Sequence, residues 1–319
     1  MTICPKNFFF IILLLPTQLM SIAKPMHARG KYAHANFDNQ NLTWANFTKA
    51  DCKGASFKKA SLVRVNFLQA DLQGALFEGA NISDSLISEA NLSGANLRYV
   101  NLQDAILINT NLRNADLTGA NLTHAVLVNC DLTHANLTGT QLKTATLIQS
   151  TLTYAIFDGT ILEKTNLEGS NIPTAAYHNA LLISTILVGT NFNKENLQGK
   201  DLSGANLTKT NLQGADLSNS NLTGADLSQA DLSQANLTGA LLINTCFKNA
   251  VLDNANFTNA NLQQSTMQNA SIKNAIFTNA NLDGVNVKNA QLTGTSFADA
   301  RNTKTMLNSE TTKKQEIDL

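Results

Sequence analysis

A chain of 319 residues is long enough for two ordinary domains or for one long array of repeats. Only 14% of its residues are charged and 6% aromatic, and 23 basic residues balance 23 acidic ones, so at the level of totals neither a basic field for nucleic acid nor a strongly acidic field is visible. Leu, Asn, Ala and Thr recur so monotonously that internal self-similarity is the first property to test.

The first 23 residues differ in kind from the rest. Lys6 precedes the apolar run Phe8–Leu15, Pro16 ends it, and Ser21-Ile22-Ala23 places small residues before Lys24. This is the layout of a secretory signal peptide over 1–23, cut after Ala23 or, alternatively, after Ala28. The run is shorter than the roughly 20 residues of a membrane span, so no stable membrane anchor is expected after signal removal. A buried N-terminal helix is the alternative. The expected location is exported, periplasmic or secreted, in a bacterium. Residues 24–34 are expected to form a cap or linker.

From Phe37 the chain keeps a five-residue clock: Leu42, Phe47, Cys52, Phe57, Leu62, and onward to Phe297 without insertion or deletion. All 53 of these central positions are apolar, and all 11 Phe outside the signal occupy them. Two residues earlier sits a small side chain, usually Ala, as at Ala45, Ala50 and Ala55. Asn or Asp often lies between the two. Of 17 Gly, 16 fall two residues after a central position, and Asn109, Asn114, Asn129, Asn249, Asn254 and Asn259 share that slot. A period of five is neither the 3.6 of a helix nor the 2 of a long strand. It requires a chain that turns the same way every five residues, with a corner where Gly or Asn tolerates positive φ.

The runs Ala95-Asn96-Leu97, Ala115-Asp116-Leu117 and Ala225-Asp226-Leu227 carry an A-(D/N)-L-x-x motif. On it the chain resembles the pentapeptide-repeat proteins. The resemblance implies an all-β fold, a right-handed quadrilateral β-helix over residues 35–300 with four pentapeptides per coil and about 13 coils. At a strand spacing of about 4.8 Å the rod would be roughly 60–65 Å long. Residues twenty apart then stack in columns, so Phe37, Phe57 and Phe77, and again Phe257, Phe277 and Phe297, are expected as ring ladders.

Three small-residue slots hold long polar side chains: Gln40, Glu195 and Lys200. An unpaired charge does not fit a narrow apolar core. With Pro173 and Tyr177 nearby, the reading is a local irregularity over 172–200 that kinks the rod, or else a harmless surface defect. The polar stretch 301–319 loses the clock and reads as a flexible tail, in which Met306 and Leu307 could cap the last coil.

No chemistry is legible. Cys52, Cys130 and Cys246 lie several coils apart and are expected to point inward as small hydrophobes. His124 and His134, half a coil apart, do not converge for zinc. Glycines follow the clock rather than a phosphate loop, so no catalytic residue, metal or other cofactor is expected, and the protein reads as a non-enzyme.

The surface is more informative. On one face the residues flanking the central position are Leu68, Leu86, Ile106, Ile108, Val126, Val128 and Ile148, then Ile186 and Val188, with Leu181 and Ile183 continuing onto the adjoining face. A contiguous apolar strip usually marks a protein contact. The expected partner is another protein or a second copy of the chain, as in a homodimer, and not nucleic acid. The alternatives are strand formers without a partner and cover from the chain's own termini. The functional reading is an exported scaffold or protein-binding rod. The resemblance also implies a DNA-mimicking ligand of DNA gyrase, in the manner of quinolone-resistance proteins, against which the export signal and weak net charge count. A secreted effector that binds a host protein is the third reading.

Overall fold

The fold was described from a computed structural model, covering residues 26–172, 180 and 182–305. The signal reading over 1–23, Pro173, Tyr177, Leu181, Met306 and Leu307 lie outside these residues.

Each pentapeptide repeats one set of backbone bonds. For the repeat around Leu42, the central N–H donates to the Ser61 carbonyl at 2.7 Å. The corner N–H of Trp44 donates to Val63 at 3.0 Å, and the N–H of Ala45 closes a turn onto the Leu42 carbonyl at 2.9 Å. In the next coil Ser61 N–H returns to Gln40 at 2.9 Å. The bridges are all parallel, and each joins residues twenty apart, from Lys31↔Asp51 to Asn281↔Arg301. Twenty residues therefore make one coil of four sides. The sides are named here by their inward residues: the Phe37, Leu42, Phe47 and Cys52 faces.

One N–H in each repeat, that of the residue after the central position, has no partner in this scheme. The Asn or Asp two residues earlier supplies it: Asn121 Oδ1 accepts from Thr123 N–H at 3.1 Å, and Asp226 Oδ1 from Ser228 N–H at 2.9 Å. This is an Asx turn, in which a short side chain stands in for a backbone acceptor. It explains why the motif prefers Asn or Asp at that slot, a preference the sequence alone displays without a reason. The amide nitrogens also link coils, as in Asn101 to Asn81 and Asn121 to Asn101, both at 3.1 Å.

Corners adopt positive φ throughout, which fits a type II turn. Besides 16 Gly, 38 non-glycine residues take it, and they include Lys59, Gln69, Glu89 and His134 as well as Asn. Left-handed backbone costs such residues about 1–2 kcal/mol each, so the Gly and Asn preference is only part of the account. The corner N–H is bonded to the coil above, and the stack imposes a conformation that local preference would not choose.

The core is the sum of the inward slots. Phe37, Phe57 and Phe77 stack at 5.0 and 4.9 Å between ring centroids, and Phe257, Phe277 and Phe297 at 4.7 and 5.3 Å. Phe47 and Phe67 form a second ladder, crossed edge-on against the first at 5.7 Å. Where the small slot holds Thr or Ser, the hydroxyl in most cases donates to a carbonyl of the coil below, as Thr140 does to Leu117 at 2.9 Å and Thr160 to Leu137 at 2.8 Å, whereas Thr210 and Ser220 donate to Leu207 and Leu217 of their own coil. Most buried hydroxyls are thereby satisfied; among the described residues Ser265 Oγ is buried without a partner.

The coil pattern begins before residue 35. Lys31 bridges Asp51, and Tyr32 fills a central slot with its ring edge-on to Phe37 and Phe47 at 5.8 and 5.5 Å. At the other end Arg301 bridges Asn281, and a short 3-10 turn at Thr303–Thr305 places the Thr305 hydroxyl 2.9 Å from Asp283 Oδ1.

The backbone at Glu195 is regular. Its N–H bonds Phe192 at 3.0 Å and its carbonyl accepts from Asp216 at 2.9 Å; Lys200 likewise accepts from Asn221 at 2.8 Å. No kink is built at these charges, because both side chains are only half-buried rather than enclosed. The rest of the expected irregularity, 173–179 and 181, lies outside the described residues.

Candidate protein-interaction surface

The apolar flanks belong to the Phe47 face. Leu86, Ile106 and Val126 are joined by successive bridges and form an unbroken column, followed by Thr146, Asn166 and Ile186. Across the central residues, Leu68, Ser88, Ile108, Val128, Ile148, Glu168 and Val188 form a second column. Every described residue of the strip, Ile183 on the adjoining Leu42 face included, is half-buried, because each lies against the equivalent side chain of the coil above or below. Stacking is the reason that the most exposed large hydrophobics lie elsewhere: Tyr154 (68%), Tyr99 (59%) and Ile156 (48%) are single residues on other sides and corners.

The strip has a cost. Leu86, Ile106, Val126 and Ile186 occupy the slot where Asn or Asp caps the N–H two residues on, and their side chains offer no acceptor. A hydrogen bond of this kind contributes about 0.5–1.5 kcal/mol. Four Asx bonds are thus forgone on one side of the rod, on coils whose other sides keep them at Asn91, Asn96, Asn101, Asn111, Asp116 and Asn121. The slot is apolar on other sides as well, at Leu76, Ile156, Ile161, Leu241, Val251 and Ile276, but only on the Phe47 face is it apolar on three successive described coils, Leu86, Ile106 and Val126. β-branched propensity does not account for that run.

The cysteines divide in two. Cys52 is enclosed, and burial first, with Asp51 and Asp71 adding, pushes its thiol up to about 12. Cys130 takes the place of a buried Thr: its Sγ donates to the Leu107 carbonyl at 2.8 Å, and burial pushes its thiol up to about 12. Cys246 corrects the expectation that all three point inward. It occupies the flanking slot before Phe247 and is half-buried, 3.2 Å from the Ser228 hydroxyl. The five-residue clock assigns it there, one residue short of the centre.

His124 and His134 are surface residues with local partners. His124 Nδ1 lies 3.2 Å from Asp104 Oδ1, and His134 stacks on Tyr154 with centroids 4.8 Å apart. Among the described residues no group of His, Cys, Asp and Glu is arranged to hold a metal ion.

With this geometry established, comparison with known proteins adds the class. The family model described as pentapeptide repeats matches residues 33–62, 130–169 and, in overlapping copies, 185–299, and a second, described as a pentapeptide repeat region, matches 60–137. The chain therefore belongs to the pentapeptide repeat family, whose members adopt a right-handed quadrilateral β-helix. Residues 170–184 fall between the matches. Among solved structures, the chain is similar to HetL, involved in heterocyst differentiation regulation in the cyanobacterium Nostoc sp. strain PCC 7120, at 26% identity over 84% of this chain and 90% of that one, with a TM-score of 0.28. It is similar to Rfr23 of the cyanobacterium Cyanothece 51142 at 28% identity over 40% of this chain and 89% of that one, with a TM-score of 0.21. QnrB1, a plasmid-mediated fluoroquinolone resistance protein, matches at 14% identity over 65% of this chain and 91% of that one, with a TM-score of 0.30. At such scores no property of these proteins is carried over. No curated protein matches the sequence.

Proposed function

We propose that this protein is a non-enzymatic, exported rod of about 13 coils that binds another protein, or a second copy of itself, through the Phe47 face. One observation carries the reading: the column Leu86–Ile106–Val126 fills, on three successive coils, the slot that in most repeats holds the Asn or Asp acceptor, and the apolar column Ile108–Val128–Ile148 runs beside it. A surface that forgoes its own bonds for apolar side chains is explained by a partner that covers them. The signal-like residues 1–23 support delivery to the periplasm or the medium.

The test is a pair of measurements. The Ile108→Lys, Val128→Lys double variant is expected to lose self-association or partner capture while its unfolding midpoint stays within about 1 kcal/mol of the parent, since both positions are on the surface. Unchanged assembly and capture would end the interface reading. Fractionation with intact mass is expected to find a species shortened by about 23 or 28 residues outside the cytoplasm; a full-length cytoplasmic species would end the export reading.

A further inference from the structure

Charge along the rod is not evenly spread. Residues 26–65 carry seven Lys and Arg against two Asp, a net of +5. Residues 66–170 carry four basic and ten acidic side chains, a net of −6, and residues 182–305 carry eight of each. The neutral total conceals a basic end followed by an acidic middle.

The basic residues encircle their end. Arg29 and Lys49 lie on one corner column, Lys31 and Lys53 on the Cys52 face, Lys58 on the Phe37 face, Lys59 at its corner, and Arg64 at the corner after the Leu42 face. All but half-buried Lys58 are exposed. Among the described residues only Lys53 of the seven forms an ion pair, with Asp71 at 3.1 Å. Beneath Arg64, whose guanidinium carbon stands 4.9 Å from the ring centroid, lies Trp44, the single Trp of the chain, exposed at 43%.

We infer that this end of the rod docks, end-on, against an anionic lipid surface. Cations distributed around four sides cannot all face a plane approached side-on, but all of them face one approached along the axis. Arg29 to Arg64 span just under two coils, about 10 Å at strand spacing, which is close to the Debye length at physiological salt. All seven then feel the surface, whereas the acidic middle is held beyond it and screened. A side-on approach would bring the carboxylates of whichever side faced the surface against like charge. An exposed Trp and cation pair suits the headgroup layer, where an amphipathic ring and a basic group are both accommodated. Among the described residues no helix is long and apolar enough to cross a membrane, so the contact is peripheral. The inference does not rest on export or on the Phe47 face.

The test uses the full chain with vesicles of phosphatidylcholine alone and of phosphatidylcholine with about a third phosphatidylglycerol. Each cation near an anionic surface is worth on the order of fivefold in partitioning. The anionic vesicles are expected to bind at least a hundredfold better, with a blue shift of Trp44 emission and loss of the preference at high salt. Comparing the two lipids removes any contribution of the apolar run Phe8–Leu15, which is indifferent to headgroup charge. Lys49→Gln, Lys58→Gln and Lys59→Gln together are expected to reduce the preference about a hundredfold. The control Lys248→Gln with Lys273→Gln, on the neutral part of the rod, is expected to leave it intact. Circular dichroism establishes that both variants are folded. Equal binding to both vesicles, an unchanged preference in the folded collar variant, or tighter binding to duplex DNA than to the anionic vesicles would each overturn the inference.

Discussion

The first coils and the middle coils share one backbone and differ in how they fill it. Around Phe37–Phe77 two crossed ladders of rings occupy the core and the small slots after Gln40 are Ala or Val; around Leu97–Leu167 the rings give way to Leu except at Phe157, and Thr, Ser or Cys hydroxyls and thiols reach carbonyls of the coil below. A terminal coil has a neighbour on one side only, so it gains from side chains that bury most area per residue. A middle coil is clamped from both sides and accommodates small polar groups, provided each finds a partner. The outer surface follows the same division: basic at the start, apolar and acidic in the middle.

The largest expected effect breaks the ring ladder. Phe57, stacked between Phe37 and Phe77, is fully enclosed, and Phe57→Ala is expected to destabilise by about 3–5 kcal/mol. Hydrogen exchange is expected to localise the loss to the first three coils; a uniform loss along the rod would mean that the ends are not separate units. A smaller effect sharpens the contrast between faces. Asn121→Leu removes an acceptor from Thr123 N–H and a donor to Asn101, and is expected to cost about 1–2 kcal/mol in a urea titration. Val126→Asn restores an Asx acceptor within the apolar strip and is expected to be neutral or to stabilise by up to about 1 kcal/mol. If Val126→Asn were as costly as Asn121→Leu, the strip would be explained by the rod's own stability and not by a partner.

A last effect is absent at neutral pH and emerges only at high pH. Cys52 and Cys130 hold their protons to about 12 against an ordinary 9.0. The folded chain binds those protons more tightly than the unfolded one, so their contribution is complete below pH 9.0 and is lost as pH rises through about 12. Cys52→Leu with Cys130→Thr is expected to flatten the fall in stability over that window, relative to the parent. Half-buried Cys246 is expected to react first with a thiol reagent in the native state.

Much of the fold could be read from residues in order. The inward slots, the column register and both Phe37 and Phe257 ladders follow from the period, because large side chains every fifth residue leave few other ways to bury them. Three features were hidden because they depend on the neighbouring coil. The Asx bond from Asn121 to Thr123 matters only once the other N–H groups are known to be taken. Positive φ at Lys59 or His134 contradicts local preference and is imposed by the coil above. Glu195 looks forbidden in a core slot, yet its side chain is only half-buried. The strip of Leu86, Ile106 and Val126 was visible as a pattern, but its cost in backbone bonds was not.

The twenty-residue register has a consequence for how such a chain can change length. Adding or deleting five residues preserves the core, since every central and small slot is simply reassigned to the next side. It also rotates everything downstream by a quarter turn, so that Ile186 and Val188 would leave the side of Leu86 and Ile106 and face elsewhere. Adding or deleting twenty preserves both the core and the alignment of the surface. Length variation in steps of one whole coil therefore keeps the core and the surface columns in register, whereas steps of a single repeat leave the molecule folded and scramble what it presents.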